Sequence, residues 1–229
     1  MNQDLHKTKI IDLQTMNYSD AWKKQGVLLD KLKAEKQAGK FDVNYLLLVE
    51  HPHVYTLGRN GDETNMLINL IQLKAKDAEF IKVDRGGDIT YHGYGQLVAY
   101  PIIRLDAFGI GIKEYVFRLE EVVIRTIAKF GLKGERLQNA IGVWLDVDLP
   151  SVRKICAIGV KCSGFVTMHG FALNVNTDLE YFNYINPCGF IDKGVTSLEK
   201  ELKRKIDLAE VKATVLQNFE DVFEMKFVD

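Results

Sequence analysis

The order of strand-like and helix-like segments limits this chain to one class of fold. Apolar, β-branched and aromatic residues form short runs that turn residues separate, and these runs outnumber the helical segments. They predict strands at residues 45–49, 54–57, 80–84, 96–103, 142–146, 154–160 and 165–176. Because several of these strands follow one another without a helix between them, we expect a mixed sheet with helices packed on one side, not a doubly wound parallel sheet.

Three longer segments have the apolar periodicity of helices that pack on a core. They cover residues 19–38, residues 112–130 and a last segment that begins at Asp207. Ser19 is the predicted N-cap of the first helix, and Glu210 is the predicted reciprocal cap of the last.

Composition and charge exclude several function classes. The 229 residues are 47% hydrophobic and 27% charged, as in a folded globular protein, and no repeat or linker divides them, so we expect a single domain over residues 1–229. A net charge of −1 without long runs of like charge argues against nucleic acid or an anionic membrane as a partner. The sequence contains neither a signal peptide nor a long apolar span, so we expect a cytoplasmic protein.

The segment from Arg85 to Gln96, RGGDITYHGYGQ, combines four glycines with polar and aromatic side chains. Glycine lets a backbone approach a ligand closely, and successive N–H groups can hold a carbonyl or phosphate oxygen. The P-loop ending and the GxGxxG dinucleotide spacing are both absent from it. A ligand-binding loop is the favoured interpretation, and an irregular hairpin connection is the alternative.

The histidines offer two kinds of candidate. His51 and His53 flank a proline, but no third ligand lies at a supporting spacing, so a packed or hydrogen-bonded imidazole is favoured over a metal site. His92 and His169 each precede a glycine at the end of an apolar segment, where either one could border a pocket. A structural role remains the alternative for both.

The three cysteines form an odd set without CxxC spacing, which argues against a disulfide framework and a cysteine-rich zinc site. Cys156 and Cys162 lie in an apolar, strand-like segment and are interpreted as unreactive filler. Cys188 lies between Pro187 and Gly189, a setting that can present a side chain from a loop. On the residues alone, a reactive thiol and a packed one both remain open.

Lys154 is a candidate partner for the Cys188 thiol. Strand periodicity places Lys154 on the apolar face that carries Cys156 and Ile158, where an ammonium group needs an anionic partner. The alternative is that Lys154 points to water from the start of its strand. A nearby ammonium would favour the Cys188 thiolate. Lys161, on the other face, is expected to be solvated.

Several motifs in order along the chain resemble the lipoyl(octanoyl) transferase family, of the biotin/lipoate protein ligase-like superfamily. They are EHP and VYT within residues 50–56, RGGxxTYHGxGQ at 85–96, GVW at 142–144, KIxAIG at 154–159, HGFALNV at 169–175 and INPCG at 185–189. The resemblance implies an α/β fold of the α+β type, with a mixed, largely antiparallel sheet and helices packed on it. Tyr94 replaces the proline that this family usually has in its His-Gly-Pro-Gly-Gln motif, which leaves the shape of that turn open.

The resemblance also implies roles for individual residues. Cys188 would be the nucleophile and Lys154 its activator. No metal ligand and no cofactor are implied. The substrate-binding residues would be Arg85, Gly86, Gly87, Asp88, Ile89, Thr90, Tyr91, His92, Ala157, Ile158, Gly159, His169, Gly170, Phe171 and Ala172.

The implied reaction is transfer of an octanoyl group from octanoyl-acyl carrier protein to a lysine of a lipoyl domain, through a cysteine thioester. The acceptors would be lipoyl domains of 2-oxoacid dehydrogenase complexes and the glycine cleavage H protein, without nucleic acid, membrane, ATP or metal. Phe165, Phe171 or Tyr91 could wall the acyl pocket. Three alternatives stay open. They are an ATP-dependent lipoate or biotin ligase, which would not need Cys188, a binder of lipoyl domains or acyl groups that lacks catalysis, and a relay enzyme that moves octanoyl or lipoyl groups between lipoyl proteins.

Overall fold

The computed structural model describes residues 6–186 and 193–228, and only the backbone of Leu70. The helices in this part of the chain are α1 (Tyr18–Gln37), α2 (Leu70–Lys74), α3 (Ile112–Ala128), α4 (Leu198–Leu202) and α5 (Leu208–Phe223). The strands are β1 (Lys7–Thr15), β2 (Asn44–Glu50), β3 (Val54–Leu57), β4 (Glu79–Lys82), β5 (Ile89–His92), β6 (Gln96–Ile102), β7 (Glu135–Leu137), β8 (Ala140–Leu145), β9 (Arg153–Ser163), β10 (Val166–Asn174), β11 (Gly194–Val195) and β12 (Lys226–Val228).

A nine-stranded sheet carries most of the fold, in the order β12-β1-β2-β6-β10-β9-β8-β7, with β11 paired to β9 off this path. β1 is parallel to β2 and β12, and β11 is parallel to β9, whereas the other neighbours are antiparallel. A separate three-stranded sheet has the order β4-β3-β5. The prediction of a mixed, largely antiparallel sheet with helices packed on it is therefore confirmed.

Helices cover both faces of the large sheet. On β2, Leu46 and Leu48 point into a core that α3 and α5 complete, and Leu47 and Val49 point into a second core against α1. A strand buried on both faces is apolar throughout instead of alternating. The prediction that the helices pack on one side is therefore wrong.

The ends of two helices test the predicted caps. α1 begins at Tyr18 after Asn17, whose side chain makes no capping hydrogen bond, so Ser19 lies inside the helix and its predicted role as the cap is wrong. Asp207, the predicted start of the last helix, caps it, since its carboxylate accepts the Ala209 N–H at 2.9 Å. The reciprocal cap predicted for Glu210 is not among the hydrogen bonds that the structure describes for this helix. None of the described helices is both long and apolar enough to cross a bilayer.

Candidate active site

A cavity of about 390 Å³ is lined by residues of both sheets. Lys154 lines it, together with every member of the predicted substrate-binding set except Tyr91. Three glycine-containing segments meet at its wall: residues 85–90, 157–160 and 169–172. Its volume falls in the range of about 300–1,000 Å³ that is usual for small-molecule sites.

Arg85 shapes the glycine-rich corner of the cavity. Its guanidinium donates hydrogen bonds to the Thr56 carbonyl at 2.7 Å, the Thr56 hydroxyl at 2.9 Å and the Gly86 carbonyl at 3.0 Å. The Gly86 N–H donates to the Val160 carbonyl at 2.9 Å, which ties this segment to β9. A Cβ on Gly159 would lie 2.9 Å from Arg85 Cδ, so glycine permits the close contact. The contacts make Arg85 a buried support of the cavity wall.

His169 has a left-handed backbone, with φ at 60°, in the middle of β10. Three contacts hold it there: its N–H donates to Gln25 Oε1 at 2.8 Å, its Nδ1 meets the Tyr18 hydroxyl at 3.3 Å and its Nε2 meets Asp84 Oδ1 at 2.9 Å. Such a conformation persists only where neighbours impose it. The next residue, Gly170, has no room for a Cβ, which would lie 2.1 Å from the Ala99 carbonyl.

Asp84 joins the glycine-rich corner to β9 and β10. Its carboxylate accepts hydrogen bonds from Lys161 on β9 and from His169 on β10. Partial burial opposes its ionisation, but these two hydrogen bonds outweigh burial and lower the pKa of Asp84. The prediction that Lys161 is solvated is therefore wrong. Sequence reasoning missed Asp84, whose one signal was its position directly before Arg85.

Hydrogen bonds also hold two further buried histidines, His51 and His92. His51 contacts the Met16 carbonyl through Nδ1 at 2.6 Å and the Tyr100 hydroxyl through Nε2 at 2.8 Å, as a packed imidazole does. His92 Nδ1 contacts Gln96 Oε1 at 2.8 Å. Burial lowers the pKa of His51 and of His169 to about 4, and lowers that of His92 well below its usual value. Among residues 6–186 and 193–228, no group of three or more His, Cys, Asp or Glu side chains could hold a metal ion.

Three aromatic residues that the sequence analysis singled out, Tyr91, Tyr94 and Phe165, lie outside the cavity lining. Tyr91 is fully buried in the core of the small sheet, where its hydroxyl meets His53 Nδ1 at 2.6 Å and its ring stacks on Tyr181. Phe165 is 57% exposed beneath the ammonium of Lys36, and Tyr94 is also exposed. Of the three aromatic residues predicted as possible pocket walls, only Phe171 lines the cavity.

The cysteines differ sharply in their surroundings. Cys156 is fully buried, and burial strongly raises the pKa of its thiol, as expected of filler. Cys162 is exposed, so its interpretation as packed filler is wrong. Cys188 lies outside the described residues. On the described flanks of that segment, the Asn186 N–H donates to the Asn65 carbonyl at 2.8 Å, and Val195 pairs with Lys154.

Comparisons with known proteins agree with this architecture. A model of the lipoyl protein ligase A/B catalytic domain matches residues 17–220. An octanoyltransferase of Bacteroides fragilis is 59% identical over 206 residues, which is 90% of this chain and 93% of that relative. An octanoyltransferase of Flavobacterium johnsoniae is 49% identical, with 97% of this chain and 99% of the relative covered.

Solved structures of much lower identity share the fold. A bi-partite lipoate protein ligase of Thermoplasma acidophilum aligns with a TM-score of 0.74 at 15% identity, covering 97% of this chain and 86% of that one. The biotin protein ligase of Aquifex aeolicus aligns with a TM-score of 0.50 at 13% identity, covering 94% and 68%. The fold is therefore that of the lipoate and biotin protein ligases. Within that class, the chain belongs to the family of the lipoyl protein ligase A/B catalytic domain, whose model spans most of its length.

The Asp84 contacts predict a local loss of stability in Asp84→Asn. The neutral amide is a weaker acceptor for Lys161 and His169, so we expect the free energy of unfolding in urea to fall by about 1–2 kcal/mol, allowing for partial exposure. Hydrogen exchange at the Gly86 N–H should also accelerate. Asp20→Asn is the matched control, because Asp20 forms only an exposed ion pair with Lys23. Equal stability of the two variants would contradict the assigned role of Asp84.

The buried histidines predict that acid destabilises the protein well above the usual range of carboxyl titration. The folded state keeps His51 and His169 neutral down to about pH 4, whereas the unfolded chain protonates them below about pH 6.5. The stability that depends on these two neutral imidazoles is therefore complete above about pH 6.5, and it is lost progressively as the pH drops towards 4. We expect each group to cost about 2 kcal/mol of unfolding free energy between pH 7 and pH 5.

The measurement is urea denaturation at half-unit steps of pH. His51→Gln should show a shallower dependence on pH than the wild type, whatever its stability at pH 7. A wild-type stability that stays constant from pH 7 to pH 5 would count against the neutral, buried state of both imidazoles.

Proposed function

We propose that this chain is an octanoyltransferase that moves an octanoyl group from octanoyl-acyl carrier protein to the side-chain amine of a lysine in a lipoyl domain. The observation that carries the proposal is that Lys154 lines a cavity whose walls contain the three glycine-containing segments. The octanoyltransferases described above support it, since they are 49–59% identical over at least 90% of this chain.

The cavity has the character that an acyl chain requires. Its apolar lining includes Val98, Val116, Ile158, Phe171 and Ala172. Burying methylene groups against such side chains supplies about 0.8 kcal/mol for each CH₂. The thioester end of the chain would then lie among backbone groups near Lys154, where N–H donors can stabilise an oxyanion.

The first step is attack of the Cys188 thiolate on the thioester carbonyl. A new carbon–sulfur bond forms to Cys188, the bond to the carrier breaks, and the carrier leaves as a thiolate that takes up a proton from the Lys154 ammonium. Val195, seven residues after Cys188, pairs with Lys154 across β11 and β9, which supports a role for Lys154 near this segment. The Lys154 ammonium favours the thiolate form of Cys188.

The second step forms the amide. The lysine amine of the lipoyl domain attacks the acyl-Cys188 carbonyl, the carbon–sulfur bond breaks, and Cys188 returns as a thiolate. Lys154, left neutral by the first step, accepts the proton that the attacking amine loses, directly or as a relay, and becomes an ammonium again. A thioester is already activated, so the exchange needs neither ATP nor a metal ion.

The partners follow from this chemistry. The acyl donor is octanoyl-acyl carrier protein, and the acceptors are lipoyl domains of 2-oxoacid dehydrogenase complexes and the glycine cleavage H protein. We expect the reaction to take place in the cytoplasm.

An acyl-enzyme should form on Cys188 without ATP. After mixing with octanoyl-acyl carrier protein, the wild type should gain one octanoyl mass increment, and peptide mapping should locate it on Cys188. Cys188→Ala should gain none and transfer nothing to a lipoyl domain. Cys162→Ala is the matched control, because Cys162 is an exposed thiol that does not line the cavity. A requirement for ATP, or normal transfer by Cys188→Ala, would overturn the proposal in favour of a ligase or another route.

Lys154→Ala should raise the pKa of the Cys188 thiol. Without the ammonium, the inflection in the rate of iodoacetamide alkylation should move up towards the ordinary value of about 8.5. The rate of octanoyl transfer should fall by about 10²–10⁴-fold, as is usual for loss of a proton-transfer group. Peptide mapping in a Cys162→Ser background isolates the Cys188 signal, and Lys23→Ala, at an exposed position on α1, is the control. If the inflection in the alkylation rate does not move, the proposed effect of Lys154 on the Cys188 thiol is wrong.

A further inference from the structure

The GVW motif at residues 142–144 lies on β8, next to the strand that carries Lys154, and has no role in the mechanism above. Trp144 and Lys154 are direct cross-strand partners. Trp144 is only 1% exposed and does not line the cavity, whereas Lys154 does. The indole therefore lies behind the lysine, on its protein side.

The contact between the two side chains has the geometry of a cation–π interaction. Lys154 Nζ lies 4.5 Å from the centroid of the Trp144 ring, within the distance of about 6 Å at which the ring attracts a cation. The indole is itself fixed, because its Nε1–H donates to the Ala140 carbonyl at 2.9 Å. A ring held in this way offers one defined position to the ammonium.

Gly142 allows a close approach between β8 and the strand that carries Lys154. Its φ is 131°, and a Cβ built there would lie 2.6 Å from the Cys156 carbonyl and 3.5 Å from both Cδ and Cε of Lys154. A side chain at this position would strike the backbone of β9. It would also have to keep a φ that L-residues rarely adopt. The glycine thus lets β8 lie close to β9, the strand that carries Lys154.

Glu120 on α3 fixes this part of β8. Its Oε1 accepts the Gly142 N–H at 3.1 Å, and its Oε2 accepts Arg136 Nε at 3.0 Å. Glu120 is nearly buried, and burial raises the pKa of its carboxyl, although Gly142 and Arg136 oppose that effect. The charge of Glu120 and that of Lys154 both act on Cys156, which places all three groups in one neighbourhood.

We propose that Gly142 and Trp144 position the Lys154 ammonium in the cavity and increase its basicity, with Glu120 holding the strand that carries them. The inference rests on the proposed function, in which Lys154 favours the Cys188 thiolate and accepts a proton from the acceptor amine. Both roles benefit from a basic, fixed lysine, because a π face stabilises the ammonium and not the neutral amine. Trp144 is thus a positioning residue that acts through Lys154.

The test compares Trp144→Leu with Trp144→Phe. Both variants lose the indole N–H bond to Ala140, so the loss of that bond cannot account for a difference between them. Competitive acetylation of lysines against pH, read by peptide mapping, gives the pKa of Lys154. We expect it to fall by about 0.5–1.5 units in Trp144→Leu and by less in Trp144→Phe.

Steady-state kinetics should show the same order. The kcat for octanoyl transfer should drop roughly three- to thirty-fold in Trp144→Leu, with partial rescue in Trp144→Phe, while KM for the acyl donor stays constant because Trp144 does not line the cavity. Phe165→Leu is the matched control: its ring also has a lysine Nζ at 4.5 Å, that of Lys36, but it lies outside the cavity lining. It should leave the kinetics and the Lys154 pKa unchanged.

A second measurement keeps the Trp144 ring intact, so its result does not depend on whether the leucine variant folds. In a Trp22→Phe background Trp144 is the sole tryptophan, and its fluorescence should titrate with the Lys154 pKa. This inflection should disappear in Lys154→Met.

The proposal is overturned if the leucine and phenylalanine variants are folded and share one Lys154 pKa, if the loss falls on KM instead of kcat, or if the fluorescence does not titrate with Lys154. The labelling and fluorescence readouts do not require turnover. If the wild type does not transfer octanoyl groups, the proposed function is wrong. The effect of Trp144 on Lys154 can still be measured in that case by labelling and fluorescence.

Discussion

Two glycines that face each other across β9 and β10 determine how closely the parts of the cavity meet. Gly159 and Gly170 are cross-strand partners. A side chain on Gly159 would strike Arg85, and one on Gly170 would strike the backbone of β6 at Ala99. The absence of a Cβ at both positions lets the glycine-rich corner approach β9 while β6 approaches β10. The cavity wall therefore depends on backbone contact more than on the choice of lining side chains.

Local sequence patterns predicted most of the large sheet and missed what long-range contacts decide. The run of apolar residues in β2 identified a buried strand, but only the packing of α1 opposite α3 and α5 explains why it does not alternate. β5 lies within the glycine-rich segment that was interpreted as a loop. Its residues, Ile-Thr-Tyr-His, favour a strand, but the glycines on both sides obscured that signal, and the pairing with β3 is visible only in the structure. Edge strands of two or three residues, such as β11 and β12, carry too few residues for a pattern.

The residues of the candidate site were also predicted only where local patterns identify them. The glycine-rich motifs and Lys154 were predicted from the sequence and the family resemblance, and the structure brings the described ones together except for Tyr91. Asp84, Gln25 and Tyr18 were missed, because each acts through a partner far away in the chain, 144 residues in the case of Gln25 and His169. The solvent exposure of Lys161 was predicted wrongly for the same reason: strand periodicity identifies the face of a residue but not the carboxylate opposite it.

The pairing of β1 with β12 has a consequence for the order in which the protein assembles. It joins chain segments that are very distant in sequence, and the His6 contact with the Glu224 carbonyl spans 218 residues. Closing so long a loop is entropically costly and contributes few hydrogen bonds, whereas the β9–β10 hairpin closes over a short turn. The strands around the cavity can thus form early. They can also remain intact while the far edge of the sheet opens and closes, so local fraying at β12 does not have to disturb the cavity.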